Sequence, residues 1–281
     1  MVMTFVEKYN QRADKINSLL CVGLDSDFNR LPARFKNLKQ PQFAFNTWII
    51  DQTNQYVSAY KPNIAFYEAR GDQGWQELHL TIQYLRNKHP DIAIILDAKR
   101  ADIGNTNQGY VAAIFDWLGA DAVTLNPYLG GEALQPFLNR SDKGCIILCK
   151  TSNPNSGEFQ DIIDATGKKV WEIVARQVAT HWNNAGNCLL VIGATYPAEL
   201  KKARQLIGEM TILIPGIGSQ GGDIKAVISA GLNKKHKGLI INSSRGIIFA
   251  ADPALAAKKL RDKINKCRAS IFDVTMISNY D

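Results

Sequence analysis

Lys99 has the clearest chemical setting in this sequence. It lies between two acids in Leu96-Asp97-Ala98-Lys99-Arg100-Ala101-Asp102-Ile103-Gly104-Asn105-Thr106, directly after the apolar residues Ala93, Ile94 and Ile95. Residues two apart share one face of a strand, so Asp97 and Lys99 are expected to point together into one space. An apolar run does not ordinarily finish in charges facing its own core, because such groups must be paired or put to use. An ammonium held between carboxylates suits two tasks: donating a proton, and stabilising negative charge that develops on a bound molecule. The plain alternative is a structural cluster of ion pairs at a rim.

Other chemistry-bearing residues accompany it. Lys61 stands inside the otherwise apolar stretch Tyr60-Lys61-Pro62-Asn63-Ile64, and Asp25 follows Val22-Gly23-Leu24. Later come Pro215-Gly216-Ile217-Gly218-Ser219-Gln220-Gly221-Gly222 and Ser243-Ser244-Arg245-Gly246. Glycines let backbone N–H groups approach phosphate oxygens, and arginine adds a forked pair of donors. A tight turn and a surface arginine are the bland readings of these two segments. The glycines match GxGxxG, yet the chain reads Gly238-Leu239-Ile240-Ile241 about twenty residues on, with no acid for a ribose. As a dinucleotide fingerprint the match is poor.

The elements that must position these residues alternate. Short apolar runs occur at Leu19–Leu24, Ala59–Phe66, Ala93–Lys99, Ala122–Asn126, Cys145–Thr151, Cys188–Ala194, Thr211–Gly216 and Gly238–Ser243. They are nearly continuously hydrophobic, as strands buried on both faces should be. Helical spacing separates them: Trp75, Leu78, Ile82 and Leu85; Trp171, Val174, Val178 and Trp182; Ile224, Val227, Ile228 and Gly231. Asp252-Pro253 suits the start of a final helix through Leu260 and Ile264. Eight such units predict an α/β fold, a single-domain (β/α)8 barrel over residues 1–281, with an N-terminal helix in 1–18 and a tail at 270–281. In a barrel, functional groups gather at the C-terminal ends of the strands, where Asp25, Asp97, Lys99, Ser152 and Arg245 fall. The irregular stretch Ser152–Lys169 is long enough to be functional. An open doubly wound sheet is the other architecture considered, but its glycine fingerprint belongs at the first strand.

With these residues in view, Asp97-x-Lys99-x-x-Asp102-Ile103-Gly104-Asn105-Thr106 resembles the DxKxxDIGNT signature of the orotidine 5′-monophosphate decarboxylases. Leu24-Asp25, Lys61, Thr151-Ser152-Asn153-Pro154, the glycine segment and Arg245-Gly246 resemble the family's other motifs in order, from Asp25 to Gly246. Leu125-Asn126-Pro127-Tyr128 and the long loop are similar to the bacterial type 2 subfamily. The resemblance implies decarboxylation of orotidylate to UMP without metal or organic cofactor. It makes Lys99 the proton donor, flanked by Asp97 and Asp102, with Lys61 completing the charge row. Asp25 and Lys61 would hold the ribose, Ser152 the pyrimidine, and Gln220 would bridge base and phosphate, with Arg245 on the phosphate. It further implies a homodimer in which Asp102, Ile103 and Thr106 enter the neighbouring site. A sister sugar-phosphate decarboxylase or synthase of the same barrel is the nearest rival; those place a magnesium-binding acid where this chain has Lys61, and a cation there repels Mg²⁺.

Composition narrows the remaining classes. The chain has 281 residues, of which 46% are hydrophobic and 21% charged, with a net charge of +7. The excess lies in short runs such as Lys201-Lys202 and Lys234-Lys235-His236-Lys237, which read as solvated loop tips. A non-catalytic binder of phosphorylated ligands or RNA is the rival these suggest, but no RNA-binding signature occurs. Cys21, Cys145, Cys149, Cys188 and Cys267 form no CxxC pair, and four lie in apolar runs, which fits a reducing, cytoplasmic setting. The four histidines offer no metal-ligand spacing. No apolar run reaches membrane-spanning length, and the first residues do not form a signal peptide.

Overall fold

The computed structural model describes residues 3–217 and 222–277, the last six as backbone alone. Eight parallel strands close into a barrel in sequence order: β1 (Leu20–Leu24), β2 (Ala59–Pro62), β3 (Ala93–Arg100), β4 (Ala122–Leu125), β5 (Gly144–Lys150), β6 (Cys188–Ile192), β7 (Ile212–Ile214) and β8 (Leu239–Ser243). The last strand pairs with the first through Leu20↔Ile241, Cys21↔Asn242 and Val22↔Ser243. Burial on both faces explains why each strand read as a continuous apolar run; β1, β2, β4, β6, β7 and β8 are buried at every position.

Helices cover the outside. Leu78, Ile82 and Leu85 turn inward from the helix Gly71–Lys88, and Ile224, Val227 and Ile228 from Ile224–Gly231. The Trp171 face belongs to the helix Val170–Gln177, which widens into a π-turn over Val178–Trp182. The expected N-terminal helix is Phe5–Ile16, started by a reciprocal pair in which Glu7 N–H donates to Thr4 Oγ1 and Thr4 N–H to the Glu7 carboxylate. Its Tyr9 hydroxyl donates to the carbonyl of Leu239 at 2.8 Å, tying the helix beneath β8.

Three boundaries differ from the sequence reading. The second strand stops at Pro62 rather than Phe66, because proline has no N–H for the ladder and Asn63 Oδ1 then caps Ala65 N–H as the chain turns into the helix Ala65–Glu68. The final helix, capped by Asp252 Oδ1 on Leu255 N–H, runs from Pro253 to Ile277, through much of the stretch expected to be a tail. The Ser152–Lys169 segment is folded back on the barrel. It contains the turn Pro154–Ser156 and the helix Gly157–Gln160, and Asp161 receives the buried Lys150 ammonium at 2.7 Å.

Cys21, Cys145, Cys149 and Cys188 are buried and free, and burial pushes the thiols of Cys21, Cys149 and Cys188 up to about 12. They act as small apolar residues. No helix among the described residues is long and apolar enough to cross a membrane, and no group of three or more His, Cys, Asp or Glu residues among them is placed to hold a metal ion.

Candidate active site

A cavity of about 300 Å³ opens at the C-terminal ends of the strands. Asp25, Lys61, Asp97, Lys99, Ser152 and Arg245 line it, so six of the nine expected site residues meet in one place. Asp97 is the hub. Its Oδ2 receives the Lys61 ammonium, while its Oδ1 receives the Lys99 ammonium at 2.6 Å and the Thr124 hydroxyl at 2.9 Å.

Burial opposes charge on Asp97, but the two ammonium groups outweigh it and hold the carboxyl well below the usual carboxylate range. Lys61 is only 3% exposed. Burial works against its charge too, yet Asp97 and Asp25 raise its pKa above the ordinary lysine value. Both groups therefore stay ionised across the neutral range. The Lys99 side chain is half exposed, so its ammonium is anchored on one side by Asp97 and open on the other.

The backbone beneath Lys99 is not the regular strand that the two-residue spacing suggested. Leu96 pairs with Val123 and Arg100 with Leu125, so four residue steps on β3 span two on β4. Within this bulge Lys99 takes a left-handed conformation, with φ of 47°. Such geometry in a residue other than glycine costs on the order of 1–3 kcal/mol and concentrates at functional sites. Asp97 and Lys99 do point into the same space, but an irregular backbone puts them there.

Asp102 and Thr106, which the resemblance assigns to a neighbouring site, stand apart from this chain's own cavity. Neither lines it. The backbone leaves β3 and enters the helix Gly104–Val111; Asp102 Oδ1 accepts from the N–H of Ile103 at 2.7 Å, and Thr106 is exposed on that helix. Lys99 is therefore flanked by one acid from its own chain, not two. Ile103 itself is 61% exposed.

On the adjoining strands β1 and β8, Asp25 Oδ1 and Asn242 Oδ1 are buried at the cavity wall with no hydrogen-bond partner among the described residues. Beside them, Gly216 holds a φ of 97°, open to glycine, and Gly222 returns so closely that a Cβ would lie 2.5 Å from the Cβ of Ala194. Gln220 lies outside the described residues, as do Gly218, Ser219 and Gly221.

Thr124, Asn63 and Asn242 also line the cavity, although the sequence reading did not single them out. Thr124 and Asn242 are polar residues inside buried apolar strands, and that contrast was the available signal.

Comparison with known proteins agrees with this geometry. Residues 18–260 match the model of the orotidine 5′-phosphate decarboxylase / HUMPS family. The chain belongs to that family. The orotidine 5′-phosphate decarboxylase of Cellvibrio japonicus is 45% identical over 276 residues, covering 95% of this chain and all of that one. Among solved structures, Leishmania donovani OMP decarboxylase superposes with a TM-score of 0.85 at 39% identity, covering 95% of this chain and 99% of its own. Leishmania donovani UMP synthase gives 0.86 at 41%, covering 95% of this chain and 57% of that longer one.

Proposed function

We propose that this enzyme decarboxylates orotidine 5′-monophosphate to UMP and CO2, the last chemical step in making UMP, with Lys99 delivering the proton. The bond from C6 to the carboxylate breaks, CO2 leaves, and the electron pair stays on C6. A proton passes from the Lys99 ammonium to C6, and solvent recharges the amine. The ring gives that carbanion no conjugated carbonyl, so a fixed positive charge beside it is the main source of stabilisation.

One observation carries the reading. Lys99 is pinned at 2.6 Å by a carboxylate that stays ionised and that also holds a second, buried ammonium. The proton donor is thus charged and aimed before substrate arrives, which removes reorganisation from the barrier. Lys61 and Asp25 take the ribose hydroxyls, Ser152 the pyrimidine, and Gln220 and Arg245 the phosphate end. Binding energy from the phosphate helps close the site over the base. Lys61 places a cation where the sister sugar-phosphate enzymes hold magnesium, so turnover proceeds in excess EDTA.

The deciding experiment follows loss of orotidylate absorbance with wild type and Lys99→Ala. The expected fall in kcat is about ten-thousand-fold. An inert wild type, or a variant as active as wild type, overturns the assignment.

The active form is a cytoplasmic homodimer whose composite sites share Asp102, Ile103 and Thr106. Exposed Ile103, Tyr128 and Leu129 stand at the starts of the packed helices Gly104–Val111 and Gly130–Leu138, an apolar surface suited to a second copy. Mixing Lys99→Ala with Asp102→Ala protein then restores part of the activity, because one hybrid site is intact. No recovery at all counts against sharing.

A further inference from the structure

We infer that Thr124 is a positioning residue for the decarboxylation: its hydroxyl sets where the Lys99 ammonium points. The inference rests on the reading of Lys99 as proton donor. Thr124 is almost wholly buried on β4, opposite the bulge in β3.

Three hydrogen bonds meet at its Oγ1. The backbone N–H groups of Ala98 and Lys99 donate to it at 3.0 and 2.9 Å, and its own proton goes to Asp97 Oδ1 at 2.9 Å. One donated and two accepted bonds fill a hydroxyl's whole capacity. The arrangement follows from the bulge. With four steps of β3 set against two of β4, the N–H groups of Ala98 and Lys99 cannot all meet β4 carbonyls in register, and a side chain takes the place of the ladder there.

The consequence reaches the reacting atom. The left-handed turn at Lys99 is the step that brings its side chain back to the Asp97 side, and its N–H is held by Thr124. The same hydroxyl fixes the carboxylate oxygen that receives the Lys99 ammonium. Both ends of the lysine, backbone and charged tip, are therefore referred to one oxygen atom. Remove it, and the backbone N–H groups of Ala98 and Lys99 lose their acceptor while the carboxylate keeps only the two ammonium groups to orient it.

The experiment compares Thr124→Val, Thr124→Ser and wild type in steady-state decarboxylation, with UMP affinity measured alongside. Thr124→Val keeps the branched shape without the hydroxyl. Its kcat is expected to fall about 100-fold, the scale of a misplacement near 1 Å, while KM and the UMP Kd stay within about threefold. Thr124→Ser restores the hydroxyl and returns kcat to within about fivefold of wild type on the same geometric argument. Should Thr124→Val not fold, Thr124→Cys offers a weaker donor and acceptor, and the order Thr, Ser, Cys in kcat at constant KM supports the same role. A kcat that is unchanged in the Val or Cys variant overturns the inference, as does a Ser variant as slow as Val. If Lys99→Ala is inert while Thr124→Val is fully active, this inference alone fails; if Lys99→Ala is active, the proton-donor reading fails first.

Discussion

The two sides of the cavity are built to opposite specifications. On the β2–β3 side both carboxylate oxygens of Asp97 accept hydrogen bonds, from Lys61, Lys99 and Thr124. On the β1–β8 side, Asp25 Oδ1 and Asn242 Oδ1 are buried without hydrogen-bond partners among the described residues. A buried acceptor left unpaired costs about 1–3 kcal/mol, so the second arrangement is one that a ligand's donors relieve. In the first, the carboxylate is already held by three donors from the protein itself. On the proposed reading the difference separates chemistry from capture: the protein itself holds the proton donor, while Asp25 and Asn242 keep buried acceptors for a ligand's donors.

That contrast can be broken most severely at Asp97. Asp97→Asn leaves the Lys61 ammonium buried beside a neutral amide, and it also frees Lys99. The expected result is a kcat lower by about 1000-fold, together with a loss of about 3–5 kcal/mol in folding stability by urea titration. A variant as stable as wild type would show that the Lys61–Asp97 pair contributes nothing net to folding.

The acid sensitivity of wild type sharpens the same point. The Asp97 carboxyl lies lower in the folded protein than its unfolded value of 3.8. Its contribution to stability is therefore fully present above that value and is lost as pH falls below it toward the folded pKa. Unfolding free energies at pH 7 and pH 3 should differ more for wild type than for Asp97→Asn.

The smallest effect is expected on the other side. Asp25→Asn exchanges a charged acceptor for a neutral one at a position whose hydrogen bonds await the ligand. KM should rise about tenfold, equivalent to one charge-assisted hydrogen bond, with a smaller change in kcat and little change in Tm. Equal losses in kcat and stability would place Asp25 with the preformed group and erase the distinction.

Legibility in the sequence followed the same physics. The eight strands were readable because burial on both faces leaves an uninterrupted apolar signature, and the helices because one apolar face repeats. Charges at the strand ends pointed to Asp25, Lys61, Asp97 and Lys99 for a related reason: ionised groups beside a core are expensive and stand out. The left-handed turn at Lys99 carried no such mark, since glycine or asparagine would have announced it and lysine does not. Thr124 gave only the faint contrast of one hydroxyl within a buried apolar strand, because threonine is an ordinary strand residue. Asp102 is legible as a charge just past the end of the strand, but only the resemblance assigns it to a neighbouring site. The end of β2 was overrun because Ile64, Ala65 and Phe66 stay apolar past the proline, now as part of a helix start.

Closure of the barrel by β8 onto β1 has a consequence for synthesis. Asp25 is made early and Arg245 late, yet both line one pocket, and the strand that seats Asn242 beside Cys21 is the last of the eight to leave the ribosome. Until it does, β1 and β7 each present an open backbone edge able to pair with other chains. The pocket therefore cannot be assembled before Arg245 is made, and a chain cut short before β8 leaves both of those edges unpaired.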